Sequence, residues 1–354
     1  MTPGRATSDA GGSPSLVIQT SFLGDVVLTT PLIAELGARG PVDIVATPAG
    51  AALLANNPGI RRVLVYDKRG AARGVRGLYR AAREIAGGAD RADDGPRTVY
   101  LAQGSLRSAT LAILAGVPER VGFASSAGRR LYTQRVPYHA EWHHAERLWS
   151  LAAPPGTRAE AGVLRPRLFP GQAERDAVTT LLAPLAGDSR PLVALAPGSV
   201  WATKRWPYYP ALAAMLAAHY RIVVIGARDD AELAAAIVAA APGALDATDR
   251  LSLLGSAQLI GQATVLVTND SAPQHLASAM GTPTVAIFGP TVPAFGFGPL
   301  APGSVVAEHD AMPCRPCDKH GPMTCPLVHF RCMLELTPER VALLARQAAH
   351  PLNH

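Results

Sequence analysis

Three short stretches hold the residue types that could do chemistry. The first is TSFLGDVVLTTP (20–31), where Asp25 follows Gly24 between a β-type run (Leu16, Val17, Ile18) and a helical pattern. A carboxylate there can cap a helix N-terminus, accepting backbone N–H bonds and offsetting the dipole. It can equally serve as a general base toward a substrate hydroxyl. Capping favours the ionised form and so weakens the base. The second is LAPGSVWATKRWP (195–207), a strand followed by a loop with Ser199, Thr203, Lys204 and Arg205. Hydroxyls beside cations can cradle a diphosphate, and the same composition also suits a solvated basic loop. Lys204 stands out because only Lys68, Lys204 and Lys319 among the 33 basic residues are lysine. An ammonium is a compact point charge, and a guanidinium is not. The third is VTNDSAPQHLASAMGTPTVAIFGPT (267–291), in which a strand ends at Asn269-Asp270-Ser271 and a helix runs to about Met280. Helix N-termini directly after strands bind anions, which points to Ser271, Ala272 and the neighbouring amides, with His275 one turn along. Pro273 has no N–H, so that site is narrowed.

Positioning these residues requires strands that end where the loops begin. LVIQT (16–20), VDIVAT (42–47), RVLVYD (62–67) and TVYLA (98–102) read as strands, with helical stretches at 32–40 and 77–88 between them. Pro31 falls inside the first expected helix and should kink it or delay its regular part. The alternation restarts with LVALAP (192–197), RIVVIG (221–226), VLVTND (265–270) and TVAIFG (284–289). Repeated strand–helix–strand order predicts parallel sheets with helices on both faces. A Pro-, Gly- and Arg-rich stretch at 152–170 predicts the junction between two domains. The expected division is a disordered leader at 1–15, a Rossmann-like domain at 16–165, a second at 166–335, and a C-terminal helix within 336–354 packing back on the first. That helix should start at Thr337-Pro338-Glu339, a cap followed by proline.

Composition sets further bounds. A chain of 354 residues, 48% apolar and 17% charged, exceeds what one core usually supports. Net charge is +6, which suits an anionic partner. No recognised nucleic-acid motif accompanies that charge. Neither half has Gly-x-Gly-x-x-Gly after its first strand or a P-loop, so dinucleotide and P-loop chemistry lose their main support. No run reaches 18 apolar residues. The four cysteines all lie between 314 and 332, unlike a secreted disulfide framework, and the cytoplasm is the expected compartment. Cys314, Cys317, Cys325 and Cys332 could ligate a structural zinc; buried, reduced thiols are the alternative. Between 61 and 83, Arg61, Arg62, Lys68, Arg69, Arg73, Arg76, Arg80 and Arg83 face one acid, Asp67. This strip reads either as a solvated surface or as a landing surface for phosphorylated sugar or anionic lipid.

Taken together, the segments resemble the lipopolysaccharide heptosyltransferases of glycosyltransferase family 9. Ser21–Asp25 matches that family's small-residue loop and Gly-Asp. Pro197–Ser199 with Lys204–Pro207 matches its Pro-Gly-small and Lys-x-Trp-Pro, and Asn269–His275 its Asn-Asp-Ser/Thr-Gly-x-x-His, with Ala272 where relatives often have Gly. Gly289-Pro290-Thr291, the cysteine-rich tail and ERVGF (119–123) also agree. The resemblance implies an α/β GT-B architecture, two Rossmann-like domains facing across a cleft. It implies inverting transfer of heptose from ADP-heptose to the lipopolysaccharide inner core on lipid A, in the manner of a type II enzyme, with no cofactor or catalytic metal. Asp25 would be the base and Lys204 would neutralise the diphosphate. Ser199, Thr203, Asp270, Ser271, Ala272 and His275 would hold the donor, and Arg120, Arg69 and Arg73 the acceptor. Asp229, Asp230 and Glu232 are candidates for the ribose or adenine. The protein would be cytoplasmic, with peripheral contact to the inner membrane. The alternatives are a family member using another nucleotide sugar or acceptor, and a non-catalytic nucleotide-sugar or glycolipid binder.

Overall fold

The computed structural model describes residues 14–87, 95–160 and 162–350. Most of the expected leader lies outside them; Ser15, its last residue, already opens the first strand. The chain forms two compact units. One comprises the described residues up to His139 with Ala145–Glu160, and the other Ala140–His144 with the described residues from 162 onward.

The first unit is a six-stranded parallel sheet of β1 (Ser15–Gln19), β2 (Val42–Ala46), β3 (Arg62–Val65), β4 (Thr98–Leu101), β5 (Glu119–Phe123) and β6 (Gln134–Val136), in the order β3-β2-β1-β4-β5-β6. The second holds β7 (Leu192–Ala196), β8 (Arg221–Val224), β9 (Leu245–Asp246), β10 (Val265–Asn269), β11 (Thr284–Phe288) and β12 (Val305–Glu308). Read from its β9 edge, its order β9-β8-β7-β10-β11-β12 repeats the first. Parallel strands covered on both faces read as near-continuous apolar runs. Accordingly β2, β7, β10 and β11 are buried at every position. All eight sequence-predicted strands are present. The sequence reading had no strands at β5, β6, β9 and β12, which are edge or near-edge strands.

In such sheets the chain reverses direction beside the first strand, and ligands bind outside the strand carboxyl ends there. In the first unit that point lies between β1 and β4, and in the second between β7 and β10. The loops carrying Asp25, Lys204 and Asp270 all leave those strands.

Pro31 divides the first helix. Leu23–Leu28 and Thr30–Gly37 are separate helices meeting at Thr29. The N–H that Pro31 cannot supply to Val27 is replaced by the Thr30 hydroxyl, which donates to Val27 O at 2.8 Å. The C-terminal helix, Pro338–Ala349, begins as expected, with Thr337 Oγ1 accepting from Arg340 N. Its packing corrects the expectation. Val341, Ala342, Ala345, Ala348 and Ala349 join the core of the second unit with Leu212, Leu216 and Ile287. The cause is an alanine-rich buried face, whose small side chains let the helix lie against that core.

One polar group inside the first sheet is also structural. Asp43 is fully buried on β2. It accepts from Arg61 at 2.9 and 2.7 Å and from Arg62 at 3.2 and 2.7 Å. Burial alone would raise its carboxyl pKa, but the hydrogen bonds and charges of the two arginines outweigh that and hold it below its ordinary value. A depressed carboxyl stabilises the fold above its unfolded pKa of about 3.9, and that stabilisation is lost as pH falls through the lower folded value. Asp43→Asn should therefore cost about 2 kcal/mol in urea unfolding at pH 7. The gap to wild type should close as the pH falls through that folded value.

Candidate active site

In the second unit, β7 ends at Ala196 and the chain passes Pro197-Gly198 into a short turn at Ala202–Lys204. Glycine suits position 198, because a Cβ would lie 2.4 Å from the Asp230 carboxyl and displace it. Asp230 itself accepts from Ala227 N at 2.9 Å, whereas Asp229 and Glu232 are exposed. Of the three acids considered for the ribose or adenine, Asp230 is thus committed to the loop.

Lys204 turns back under the loop. Its Nζ lies 2.6 Å from Asp270 Oδ2 and 3.2 Å from Asp270 O, with side chains only 8% and 11% exposed. Asp270 closes β10, next to β7, so the pair spans the point where the strand order reverses. The Asp270 carboxylate is held on both oxygens: Thr291 Oγ1 donates to Oδ2 at 2.7 Å and Gln274 Nε2 to Oδ1 at 2.8 Å. An ammonium carries three donors, and Asp270 takes two of them. The cation also lies 5.3 Å from the Trp201 ring centroid.

Ser199 Oγ is buried without a hydrogen-bond partner among the described residues, an unsatisfied hydroxyl beside this ion pair's loop. Thr203 differs: its hydroxyl donates to Pro322 O, fastening the tail segment over the loop. Thr203 was expected at the phosphates, and its buried hydroxyl is already committed. Ser271 occupies the N-cap of the helix Ala272–Met280 with an extended backbone and no side-chain cap bond. Gln274 N bonds back to Ser271 O at 3.2 Å. Among the first three amides of the helix, Ala272 therefore remains for a ligand, as Pro273 has none. His275 is buried, edge-on to Phe297 at 6.4 Å.

Asn269 was quoted in the motif without a role, and the structure gives it one. It is fully buried; Nδ2 donates to Pro197 O at 2.7 Å, while Oδ1 accepts from Trp206 N at 3.2 Å and Tyr209 OH at 3.3 Å. It ties the end of β10 to both ends of the Lys204 loop. Gln274 and Thr291 were also missed as Asp270 partners. A buried Asn-Asp pair ending a strand was the available signal.

In the first unit, Phe22, not Asp25, occupies the N-cap of Leu23–Leu28, and no side chain caps it. Asp25 is the third helical residue, where its charge still complements the dipole. Its Oδ2 accepts from Ser21 Oγ at 2.7 Å. Lys68 Nζ donates to Thr20 O at 2.7 Å, on the same loop. Burial first, then the charges of Arg69 and Arg107, lower the Lys68 pKa from its ordinary value.

The arginines of the basic strip separate into two kinds. Arg61 and Arg62 are taken by Asp43. Arg69, Arg73, Arg76, Arg80 and Arg83 are exposed. Arg120 departs from its expected role, because its guanidinium donates to Leu131 O at 2.8 Å, Val117 O at 2.8 Å and Pro118 O at 2.9 Å. It ties the segment leading into β5 to Leu131, beyond the strand's end.

In the tail, Cys314 Sγ is 3.8 Å from His329 Nε2. Among the described residues no three His, Cys, Asp or Glu side chains are grouped to hold a metal, so the structural-zinc alternative gains no support. Burial and neighbouring thiols push the Cys332 thiol up to about 11, as expected of a packed core cysteine. No helix among the described residues is long and apolar enough to cross a membrane.

Comparison with known proteins agrees with these features. Residues 97–326 match the model of glycosyltransferase family 9 (heptosyltransferase). The chain is 30% identical to lipopolysaccharide heptosyltransferase 2 of Salmonella typhimurium over 301 residues, covering 79% of this chain and 84% of that one. It is 28% identical to lipopolysaccharide heptosyltransferase 1 of Pseudomonas aeruginosa, covering 92% and 95%. Among solved structures, E. coli ADP-heptose lps heptosyltransferase II superposes with a TM-score of 0.75 at 23% identity, covering 95% of this chain and 98% of that one. The fold class is α/β of the GT-B type, with two Rossmann-like units. The chain belongs to glycosyltransferase family 9, the heptosyltransferase family, and is a glycosyltransferase.

Proposed function

We propose that the protein is an inverting transferase that moves a heptose from ADP-heptose to the inner core of lipopolysaccharide, in the manner of a type II heptosyltransferase. The observation that carries this reading is the buried Lys204 ammonium. It is held at the strand-order reversal by Asp270, which takes two of its three donors, and its loop also carries Ser199, whose buried hydroxyl has no partner among the described residues. Such a cation suits a diphosphate leaving group. The names of the relatives support the sugar and the acceptor: several are lipopolysaccharide or lipooligosaccharide heptosyltransferases of type 2.

In this mechanism Asp25 removes the proton from the acceptor hydroxyl. The oxygen attacks the anomeric carbon from the face opposite the diphosphate, and the bond to the leaving oxygen breaks. ADP departs with the electron pair, its new charge met by Lys204 and the Ala272 amide. Electrostatic stabilisation of this kind is strongest where water is excluded. Asp270 holds the ammonium in place, Ser271 and His275 line the donor side, and no cofactor or metal takes part.

The acceptor is a lipid-borne anion, and the exposed face of the helix Gly74–Gly87 suits contact with an anionic surface. Val75 and Tyr79 are 77% and 58% exposed there, interleaved with Arg76, Arg80 and Arg83. Arg69 and Arg73 precede that helix. The protein would therefore work in the cytoplasm, at the inner face of the inner membrane.

A donor screen on truncated lipopolysaccharide cores, read by product mass and ADP release, should give turnover with ADP-heptose; turnover with another nucleotide sugar alone overturns the reading. Asp25→Asn should lower kcat by roughly 10²- to 10⁴-fold with ADP-heptose binding retained. Lys204→Gln should lower kcat by roughly 10²- to 10³-fold. Changing Arg76, Arg80 and Arg83 together to Gln should weaken binding to core-bearing vesicles and flatten its salt dependence, with ADP-heptose affinity unchanged. Equal loss of both affinities would remove the surface from acceptor binding.

A further inference from the structure

Ser21 sits between two acceptors. Its Oγ is 2.7 Å from Asp25 Oδ2 and 2.6 Å from Gln19 Oε1. A hydroxyl has one proton to give and two lone pairs to receive with, so it can satisfy one of these oxygens at a time.

The Gln19 amide cannot easily turn to relieve the conflict. It is 1% exposed on β1. Its Oε1 also accepts from Ser21 N at 3.2 Å, and its Nε2 donates to Thr29 Oγ1 at 3.0 Å. Thr29 Oγ1 in turn donates to the backbone carbonyl of Asp25 at 2.7 Å. Reversing the amide would set an NH2 group against the Ser21 N–H and an oxygen against a hydroxyl whose proton is already committed. The four residues thus form a closed ring from the Asp25 carboxylate, through Ser21, Gln19 and Thr29, back to Asp25.

Hydrogens can be counted around that ring. With Asp25 ionised, Ser21 gives its proton to the carboxylate and leaves Gln19 Oε1 with the Ser21 N–H alone. With a proton on Asp25 Oδ2, the carboxyl donates to Ser21 Oγ, and Ser21 turns its own proton to Gln19 Oε1. Every short contact in the ring then has a proton between its two heavy atoms.

We propose that Ser21 and Gln19 are positioning residues for Asp25, holding its carboxyl in one orientation while the Ser21 hydroxyl changes acceptor as the carboxyl gains and loses the substrate proton. This rests on the reading of Asp25 as the base. The proton from the acceptor hydroxyl passes to the carboxylate and the Ser21 proton swings from Asp25 to Gln19; when Asp25 releases the substrate proton to solvent, the Ser21 proton swings back to the carboxylate. No atom is gained or lost by the ring.

The test uses the full-length enzyme with ADP-heptose and a truncated core acceptor. Ser21→Ala should lower kcat roughly 10- to 100-fold, the size of one hydrogen bond to a charged group, with KM for both substrates and the melting temperature unchanged. Ser21→Thr keeps the hydroxyl and should restore most of the loss. Gln19→Leu removes the second acceptor and should lower kcat with Ser21 intact. Wild-type kcat in Ser21→Ala, alongside an inactive Asp25→Asn, overturns the proposal. So does a Ser21→Ala defect that Ser21→Thr fails to restore. Wild-type kcat in Asp25→Asn instead overturns the reading of Asp25 as base.

Discussion

A buried ammonium organises the second unit. Removing a charge from water costs several kcal/mol unless it is paired and its remaining hydrogen-bonding capacity is met. Lys204 is 6% exposed, and the surrounding side chains meet that requirement in sequence. Asp270 pairs with it, Thr291 and Gln274 orient Asp270, and Asn269 fixes the strand end from which Asp270 projects. The tail segment closes the other side, through the Thr203 bond to Pro322 and through Gly321. A Cβ on Gly321 would stand 3.3 Å from Lys204 Cγ, and its φ of +85° suits glycine. A polar cluster assembled at this cost in a catalytic family is better explained by an anionic ligand than by stability, since buried ion pairs seldom outperform apolar packing.

Much of this was legible in sequence because strand ends are marked by punctuation. Ala196-Pro197-Gly198 and Asn269-Asp270 sit where an apolar strand stops, and Gly281 where a helix does, which locates the loops from sequence. Pro31 announced a break, and the break is there. Partner choice was less legible. Asp43 looks like an ordinary polar position within VDIVA, and only the strand register, which sets it opposite Arg62, explains an acid inside a buried strand. Arg120 reads as an available cation until Leu131, beyond the end of β5, joins Val117 and Pro118 in accepting from its guanidinium. Thr203 reads as a phosphate ligand until the tail lies over it. In each case a residue more than ten positions away decides the role, and local pattern carries no such information.

The same limit explains the C-terminal helix. Its cap was readable from Thr337-Pro338, because capping is local. Its docking was not, because an alanine-rich face fits any closely packed surface. The core that receives it holds Leu212, Leu216 and Ile287 from distant segments. Edge strands were lost for a related reason: β9 has two residues and β6 three, too few for a period to register.

Asp25 satisfies the capping reading of its sequence only in part. It is not the N-cap, yet as the third helical residue it still lies in the favourable field of the first turn, which stabilises its ionised form. A base needs the opposite bias, or at least a neutral form that is equally well accommodated. The helix that bears it is six residues long and ends at Thr29, where Pro31 prevents continuation and Thr30 repairs the lost bond at Val27. That ending leaves the Thr29 side chain to join Gln19 to the Asp25 carbonyl. A continuous regular helix would give the turn containing Thr29 and Thr30 ordinary backbone hydrogen bonds and no such break. The proline thus does more than interrupt the helix: it sets the turn that fixes Asp25 from behind, while Ser21 meets its carboxylate from in front.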